Sequence, residues 1–264
     1  MTTSSHAVHD ASIVALDRFI LATRDSGYKG TPSAVAELID NALQAGARDI
    51  EIQILRDERE PSWPLTVTVL DDGEGMSPAT LRQALRFGGS ARFNDRHGMG
   101  RFGMGLPNAS LSQARRLEVF SWQEPDRAIR CHLDADEIAS GAVTEIPPPT
   151  RCAVPTEARG GTGTLVRWRR CDRLDFKRPD TIISRLAPHI GRVFRYFLLD
   201  GVEITLNGQD VAPLDPLFLE PRAVHSGARR FGAPMRYEVA TQHADDREES
   251  LGVVQVVFSE LPVQ

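Results

Sequence analysis

Val35, Leu38, Ile39, Ala42 and Ala45 recur at intervals of three and four residues. That spacing places them on one side of a helix. Thr31 is expected as the N-cap with Pro32 at the first helical position, and Gly46 suits a left-handed C-terminal cap, so the helix is expected to run to about Ala45. Residues 13–24 (IVALDRFILATR) repeat the helical spacing, and Ile182 to Leu198 carry it as one long stripe. Elsewhere the period drops to two. Ile50–Leu55, Leu65–Leu70, 117–122, 128–133 and Thr164–Trp168 read as strands, and 234–240 and 251–258 as two more. Val202–Leu206, Asn207-Gly208 and Val211 predict a hairpin with a primed turn. Ser77-Pro78 opens a short helix reaching about Phe87. A second one ends near Arg115, after a loop at 88–103 rich in glycine and charge. Residues 134–161, with three consecutive prolines, read as an irregular excursion.

Composition narrows this picture little. The chain has 264 residues, 41% of them hydrophobic, enough for one large core and part of a second. The composition shifts at Pro213–Pro221, and only about 50 residues run from Pro213 to the last residue. The net charge of −5 implies no strongly charged partner globally. Only Lys29 and Lys177 are lysines; arginine carries the rest of the positive charge. Cys131, Cys152 and Cys171 are odd in number and form no CxxC pair, which argues against disulfides and zinc and for a reducing compartment. No apolar run reaches the ~20 residues needed to cross a bilayer, and no signal peptide is apparent, so a cytoplasmic location is expected.

The polar face of the helix at 31–45 holds Glu37 and Asn41, four residues apart and therefore neighbours. Such a pair can offer a carboxylate base and an amide oxygen for a hard cation. Taken alone, a solvated helix face is the simpler reading. In VTVLDDGEGM a strand runs into D-x-G-x-G. Gly73 and Gly75 permit positive φ and close approach of a flat ligand, and Asp71 could accept from an exocyclic amine. A tight turn would account for the same letters. HGMGRFGMGLPNAS leads glycines 98, 100, 103 and 105 into a helix, an arrangement that turns backbone N–H groups toward phosphate oxygens. A dinucleotide fingerprint requires a strand directly before it, where polar SARFNDRH stands instead. A P-loop requires GK[ST], and neither lysine follows a glycine. A protein-kinase set lacks its strand lysine and HRD-like loop. GGTGTLVRW places Thr164 at the start of a strand, where an edge-strand threonine is the simpler reading.

In combination and order, these four stretches resemble the ATP-binding module of the GHKL superfamily, which joins gyrase B, ninety-kilodalton heat-shock chaperones, sensor histidine kinases and MutL. The likeness covers about residues 15–212. AVAELIDNALQAGA, DDGEGM, LRFGGSAR and GRFGMGL look most like the MORC branch and its prokaryotic relatives, and HIGRVFRYFLLDGVEITLNG is similar to the helix and strand closing that module. MORC proteins usually carry a lysine shortly after the last loop glycine. Here Pro107 follows Leu106, which leaves the phosphate cradle to the backbone.

The resemblance implies an α+β, two-layer sandwich (the Bergerat fold): a mixed, mostly antiparallel sheet with helices on one face. Residues 1–212 would form the ATP-binding domain, and 213–264 a partial transducer-like domain or C-terminal extension. It implies Glu37 as the base that activates the attacking water and Asn41 as the Mg²⁺ ligand. Asp71 would read adenine, supported by Thr164, with Gly75 and Met76 lining the base pocket. Gly100, Arg101, Phe102, Gly103, Met104, Gly105 and Leu106 would wrap the phosphates, and 88–103 would close as a lid. A γ-phosphate cation would have to come from an arginine such as Arg222, Arg229 or Arg230, or from beyond the chain.

The implied function is a slow, Mg²⁺-dependent ATPase switch whose ATP-bound form dimerises. A GHKL-type protein-kinase module and a nucleotide-gated binding module with negligible hydrolysis are the alternatives. DNA enters as a partner by family analogy only. Residues 159–195 hold nine arginines and Lys177 against three aspartates, but aromatic residues are sparse among them and the net charge is negative, so a solvated basic face is the simpler reading.

Overall fold

The computed structural model describes residues 15–58, 60–88, 104–158, 160–241 and 250–261. They divide into two units, the first running through residue 190 and including 201–211, the second comprising 191–200 and everything from 212 onward.

The first unit is built on an eight-stranded sheet. β1 (Asp49–Arg56), β2 (Leu65–Asp71), β3 (Arg116–Glu124), β4 (Arg127–Asp134), β5 (Thr150–Cys152), β6 (Gly163–Arg169), β7 (Glu203–Leu206) and β8 (Gln209–Asp210) lie in the order β5-β4-β3-β6-β2-β1-β7-β8. Every neighbouring pair is antiparallel except β1 and β7. Its helices are α1 (Leu16–Ser26), α2 (Thr31–Gln44), α3 (Pro78–Ala84), α4 (Gly105–Gln113), α5 (Ala135–Ala139) and α6 (Pro179–Val193), whose last residues fall in the second unit. This is the α+β sandwich with a mostly antiparallel sheet. The alternation at 50–55 and 65–70 delivers Ile50, Ile52, Ile54, Val67 and Val69 to the core, each at most 2% exposed. Val35, Leu38, Ile39 and Ala42 close over them from α2. Away from the helices, Leu70, Trp122, Ala128 and Leu165 form a small cluster under Phe120, Cys152, Val154 and Ala158.

Three local readings change. The stretch 134–161 is not irregular throughout, since Asp134 accepts from the backbone N–H groups of Asp136 and Glu137 and so caps α5, and Thr150–Cys152 pairs with β4. α2 begins at Thr31 with Gly30 as its cap residue. The cap acceptor comes from far along the chain, where the Asp175 carboxylate accepts Thr31 N–H (3.1 Å) and Thr31 Oγ1 accepts Asp175 N–H (3.0 Å). The stripe at 182–198 is broken at Phe194. The carbonyl of Gly191 accepts Leu214 N–H, which interrupts the helical ladder before α7 (Arg195–Leu199) resumes it. The hairpin between β7 and β8 does turn on Asn207-Gly208, both at positive φ. The Asn207 side chain also clips the backbone of Ile54 in β1 with two hydrogen bonds of 2.8 and 3.0 Å.

In the second unit β9 (Arg229–Thr241) and β10 (Ser250–Glu260) pair antiparallel as a two-stranded ribbon. Arg222 there binds Glu220 (3.1 Å) and the carbonyl of Leu199 (3.1 Å). Among the described residues no helix is long and apolar enough to cross a membrane.

Candidate functional site: an acidic helix face against a glycine-led helix

The D-D-G-E-G turn is tied down on two sides. Asp72 Oδ1 accepts the N–H groups of Arg48 (2.7 Å) and Asp49 (2.9 Å), and Glu74 N–H reaches Ala45 O (3.0 Å) at the end of α2. Asp71, one residue earlier, is left to face the interior at 7% exposure. Its Oδ1 accepts Gly73 N–H at 2.9 Å. Burial pushes its carboxyl up to about 6, the Asp72 charge adding to the rise while the N–H groups of Gly73 and Thr164 oppose it.

Thr164 sits opposite Asp71 in the β2–β6 register and opposite Ser121 in the β3–β6 register. The Ser121 hydroxyl accepts Met76 N–H (2.8 Å), donates to Gly163 O (3.1 Å) and lies 3.0 Å from Thr164 Oγ1. With the serine proton on Gly163 O, the threonine hydroxyl is the donor of that pair and keeps its lone pairs for a ligand. Gly75 carries the turn past β3 at φ +67°, and a Cβ there would stand 2.1 Å from Trp122 O. Asp71, Gly75, Met76 and Thr164 are thus brought together, with Ser121 at their centre. Ser121 was not singled out from sequence. Its one signal is a polar residue at an inward position of the strand VFSWQ.

The second half of the site lies between α2 and α4. Glu37 and Asn41 project from successive turns of α2. Glu37 Oε2 accepts the Tyr28 hydroxyl at 2.6 Å. Its Oε1 lies against the first residue of α4, so close that a Cβ on Gly105 would stand 1.7 Å away. The buried Nδ2 of Asn41 has no partner among the described residues. Turning the amide by 180° would aim its oxygen the same way. Asp40 lies one helical turn from Glu37; burial first, then the Glu37 charge, push its carboxyl up to about 6. Leu106 is part-buried in the first turn of α4, and Met104 precedes the helix at 42% exposure. Gly100, Arg101, Phe102 and Gly103 lie outside the described residues, as does the expected lid apart from Gly88.

Chemically, one end offers a buried carboxylate and hydroxyls suited to a flat, amine-bearing base. The other offers a carboxylate, a free amide and a helix N-terminus suited to phosphate and a hard cation. The Asn41 amide fits Mg²⁺, which takes few protein ligands and fills its remaining positions with phosphate oxygens and water. Among the described residues there is no cluster of three or more His, Cys, Asp or Glu that could hold a metal unaided.

Four of the nine arginines at 159–195 stand in ion pairs. Arg167 binds Glu157, Arg169 binds Asp57 and Glu60, Arg170 binds Asp134 and Asp136, and Arg173 binds Asp25.

Residues 28–159, half of the chain, match the family described as histidine kinase-, DNA gyrase B- and HSP90-like ATPase. Among similar proteins, ATPase morc-1 of Caenorhabditis elegans is 39% identical over 88 residues, covering 33% of this chain and 10% of that protein. Human ATPase MORC2 is 32% identical over 105 residues, 39% of this chain and 10% of that protein. The DNA mismatch repair protein MutL of Shewanella oneidensis is 26% identical over 223 residues, 81% of this chain and 33% of that protein. The chain therefore spans a tenth to a third of the length of these relatives.

Proposed function

The chain belongs to the histidine kinase-, DNA gyrase B- and HSP90-like ATPase family, and from that premise we propose that it binds ATP with Mg²⁺ and hydrolyses it slowly as a nucleotide-gated switch. The observation that carries this reading is the approach of Glu37 Oε1 to the N-terminus of α4 at Gly105, with the Asn41 amide one helical turn away. A base, an amide unpaired among the described residues and the start of a helix then lie together, the groups phosphoryl transfer needs.

In this mechanism Asp71 accepts the exocyclic amine of adenine, and Thr164, held by Ser121, supports the ring edge. Gly75 and Met76 line the base. The α4 N-terminus, with Met104, Gly105 and Leu106 and the preceding Gly100, Arg101, Phe102 and Gly103, gathers the phosphates. Glu37 orients the attacking water and takes its proton. Asn41 would hold Mg²⁺, which neutralises phosphate charge when bound. Closure of 88–103 over ATP would commit the bound state to dimerisation. Hydrolysis would reset it. Residues 1–212 constitute the ATP-binding module in this scheme and 213–264 a transducer-like extension. DNA stays a partner by family analogy only; within 159–195, Arg167, Arg169, Arg170 and Arg173 are already paired with carboxylates.

Comparing phosphate release by the wild type and Glu37→Ala tests the reading. The wild type should release phosphate from Mg·ATP, and the variant should bind ATP but hydrolyse little; full activity in the variant overturns the assignment of the base. Light scattering with a non-hydrolysable ATP analogue tests the switch, and a monomer at every concentration would refute it.

A further inference from the structure

Tyr28 lies in the short connection between α1 and α2, outside every motif that pointed to the site, yet its hydroxyl reaches Glu37 Oε2 at 2.6 Å. The two oxygens of Glu37 are thus differently engaged. Oε2 takes the phenol, and Oε1 faces the first residue of α4. A carboxylate on a three-torsion side chain would otherwise sample several rotamers, and a base that must meet one water molecule loses rate in proportion to the time it spends elsewhere.

The connection that carries Tyr28 is itself anchored. Gln113, at the far end of α4 and 2% exposed, donates from Nε2 to Tyr28 O (3.2 Å) and accepts the Thr31 hydroxyl on Oε1 (2.9 Å). The Thr31 hydroxyl in turn accepts Asp175 N–H. Gly27 packs so tightly on α4 that a Cβ there would stand 2.8 Å from Asn108 Oδ1 and from Ser112 Cβ. The chain Asp175, Thr31, Gln113, Tyr28 therefore joins the strap after β6, the start of α2 and the end of α4, and it terminates on the carboxylate.

We propose that Tyr28 is a positioning residue for the base. Its hydroxyl pins Glu37 Oε2, so that Oε1 alone is presented to the attacking water. The inference rests on Glu37 being the base, which the Proposed function assigns. Burial, followed by the hydrogen bond to Glu37 and its charge, pushes the Tyr28 phenol above its ordinary range, so it stays a hydrogen-bond donor at neutral pH.

The test is a mutant cycle of Tyr28→Phe, Glu37→Gln and the double variant, with kcat from phosphate release and Kd for Mg·ATP by calorimetry. Phenylalanine keeps the ring and removes only the hydroxyl. The amide oxygen introduced by Glu37→Gln can still accept the phenol, so both single variants retain the fold. A hydrogen bond to a charged group is strong enough that Tyr28→Phe should lower kcat roughly tenfold or more with Kd within about twofold. The double variant should hydrolyse no more slowly than Glu37→Gln alone, because without the base there is nothing left to position. If Glu37→Gln abolishes hydrolysis while Tyr28→Phe keeps the wild-type kcat, the positioning role is overturned and the base stands. If Tyr28→Phe weakens ATP binding in proportion to its loss of rate, Tyr28 acts on nucleotide binding and the inference fails. If Glu37→Gln hydrolyses like the wild type, the base assignment falls first and the inference with it.

Discussion

Replacing Asp71 by asparagine removes a charge while keeping the shape of the side chain. Asp71 is 7% exposed and its carboxyl is raised from 3.8 to about 6, with burial the largest cause. A rise of about two units corresponds to roughly 3 kcal/mol by which the folded protein disfavours the ionised form. Asparagine avoids that cost and keeps the bond from Gly73 N–H, but its NH₂ then needs an acceptor of its own, so the net gain in stability above pH 6 should be about 1–3 kcal/mol. A raised carboxyl favours the folded state fully below about pH 4, and that contribution is lost as pH rises through about 6. The variant's advantage should therefore vanish near pH 4 and be complete by pH 7. Asp40, raised to about 6 as well, retains its own pH slope in both proteins. Binding should move the other way. An amine of adenine loses a charged acceptor, worth about 1.5–3 kcal/mol or roughly 10- to 150-fold in Kd for ATP. Denaturant unfolding at pH 4 and 8, paired with calorimetric ATP binding at pH 8, measures both effects. ATP affinity within twofold of wild type refutes the adenine assignment. A destabilised variant at pH 8 shows instead that the carboxylate holds the turn together.

The other expectations concern neighbouring atoms. Gly75→Ala must place a Cβ 2.1 Å from Trp122 O at φ +67°, so it should cost roughly 2–5 kcal/mol in urea unfolding; a cost below that range would mean the turn can move. Ser121→Ala leaves Met76 N–H without its acceptor, and by the cost of an orphaned buried donor it should lose about 1–3 kcal/mol of stability and weaken ATP binding, measured by melting and calorimetry. Asn41→Ala should leave binding of metal-free ATP nearly unchanged while abolishing the gain that Mg²⁺ brings, seen in Mg²⁺ titrations of affinity; a preserved Mg²⁺ response would place the cation elsewhere. Nucleotide that binds ionised Asp71 should release protons near pH 6, visible as a dependence of binding heat on buffer ionisation enthalpy.

Much of the architecture was legible because burial imposes local periods. The alternation at 50–55 and 65–70, the three-four spacing of α2 and the Asn207-Gly208 turn all reappear in the folded chain. What periodicity missed was decided by distant partners. α5 depends on a cap by Asp134, the edge strand Thr150–Cys152 exists only beside β4, and the break at Phe194 follows from Gly191 O accepting Leu214 N–H. None of these carries a repeating apolar signature.

The site divides in the same way. By itself the sequence determined which chemical groups are available and roughly where each sits: Glu37 and Asn41 on one helix face, Asp71 at a strand end beside obligatory glycines, a glycine-led helix after residue 103, and Thr164 opening a strand. Those are local matters of spacing, turn chemistry and residue type. Tertiary structure alone decided which groups meet. It set the Glu37 carboxylate against Gly105, turned Ser121 into the hub of Thr164, Met76 and Gly163, and brought Tyr28 onto Glu37 through an anchor that begins at Asp175. A hydrogen bond spans about 3 Å in space but can span well over a hundred residues of chain. The period of a sequence reports the environment of each residue, and only the packed fold selects its partners.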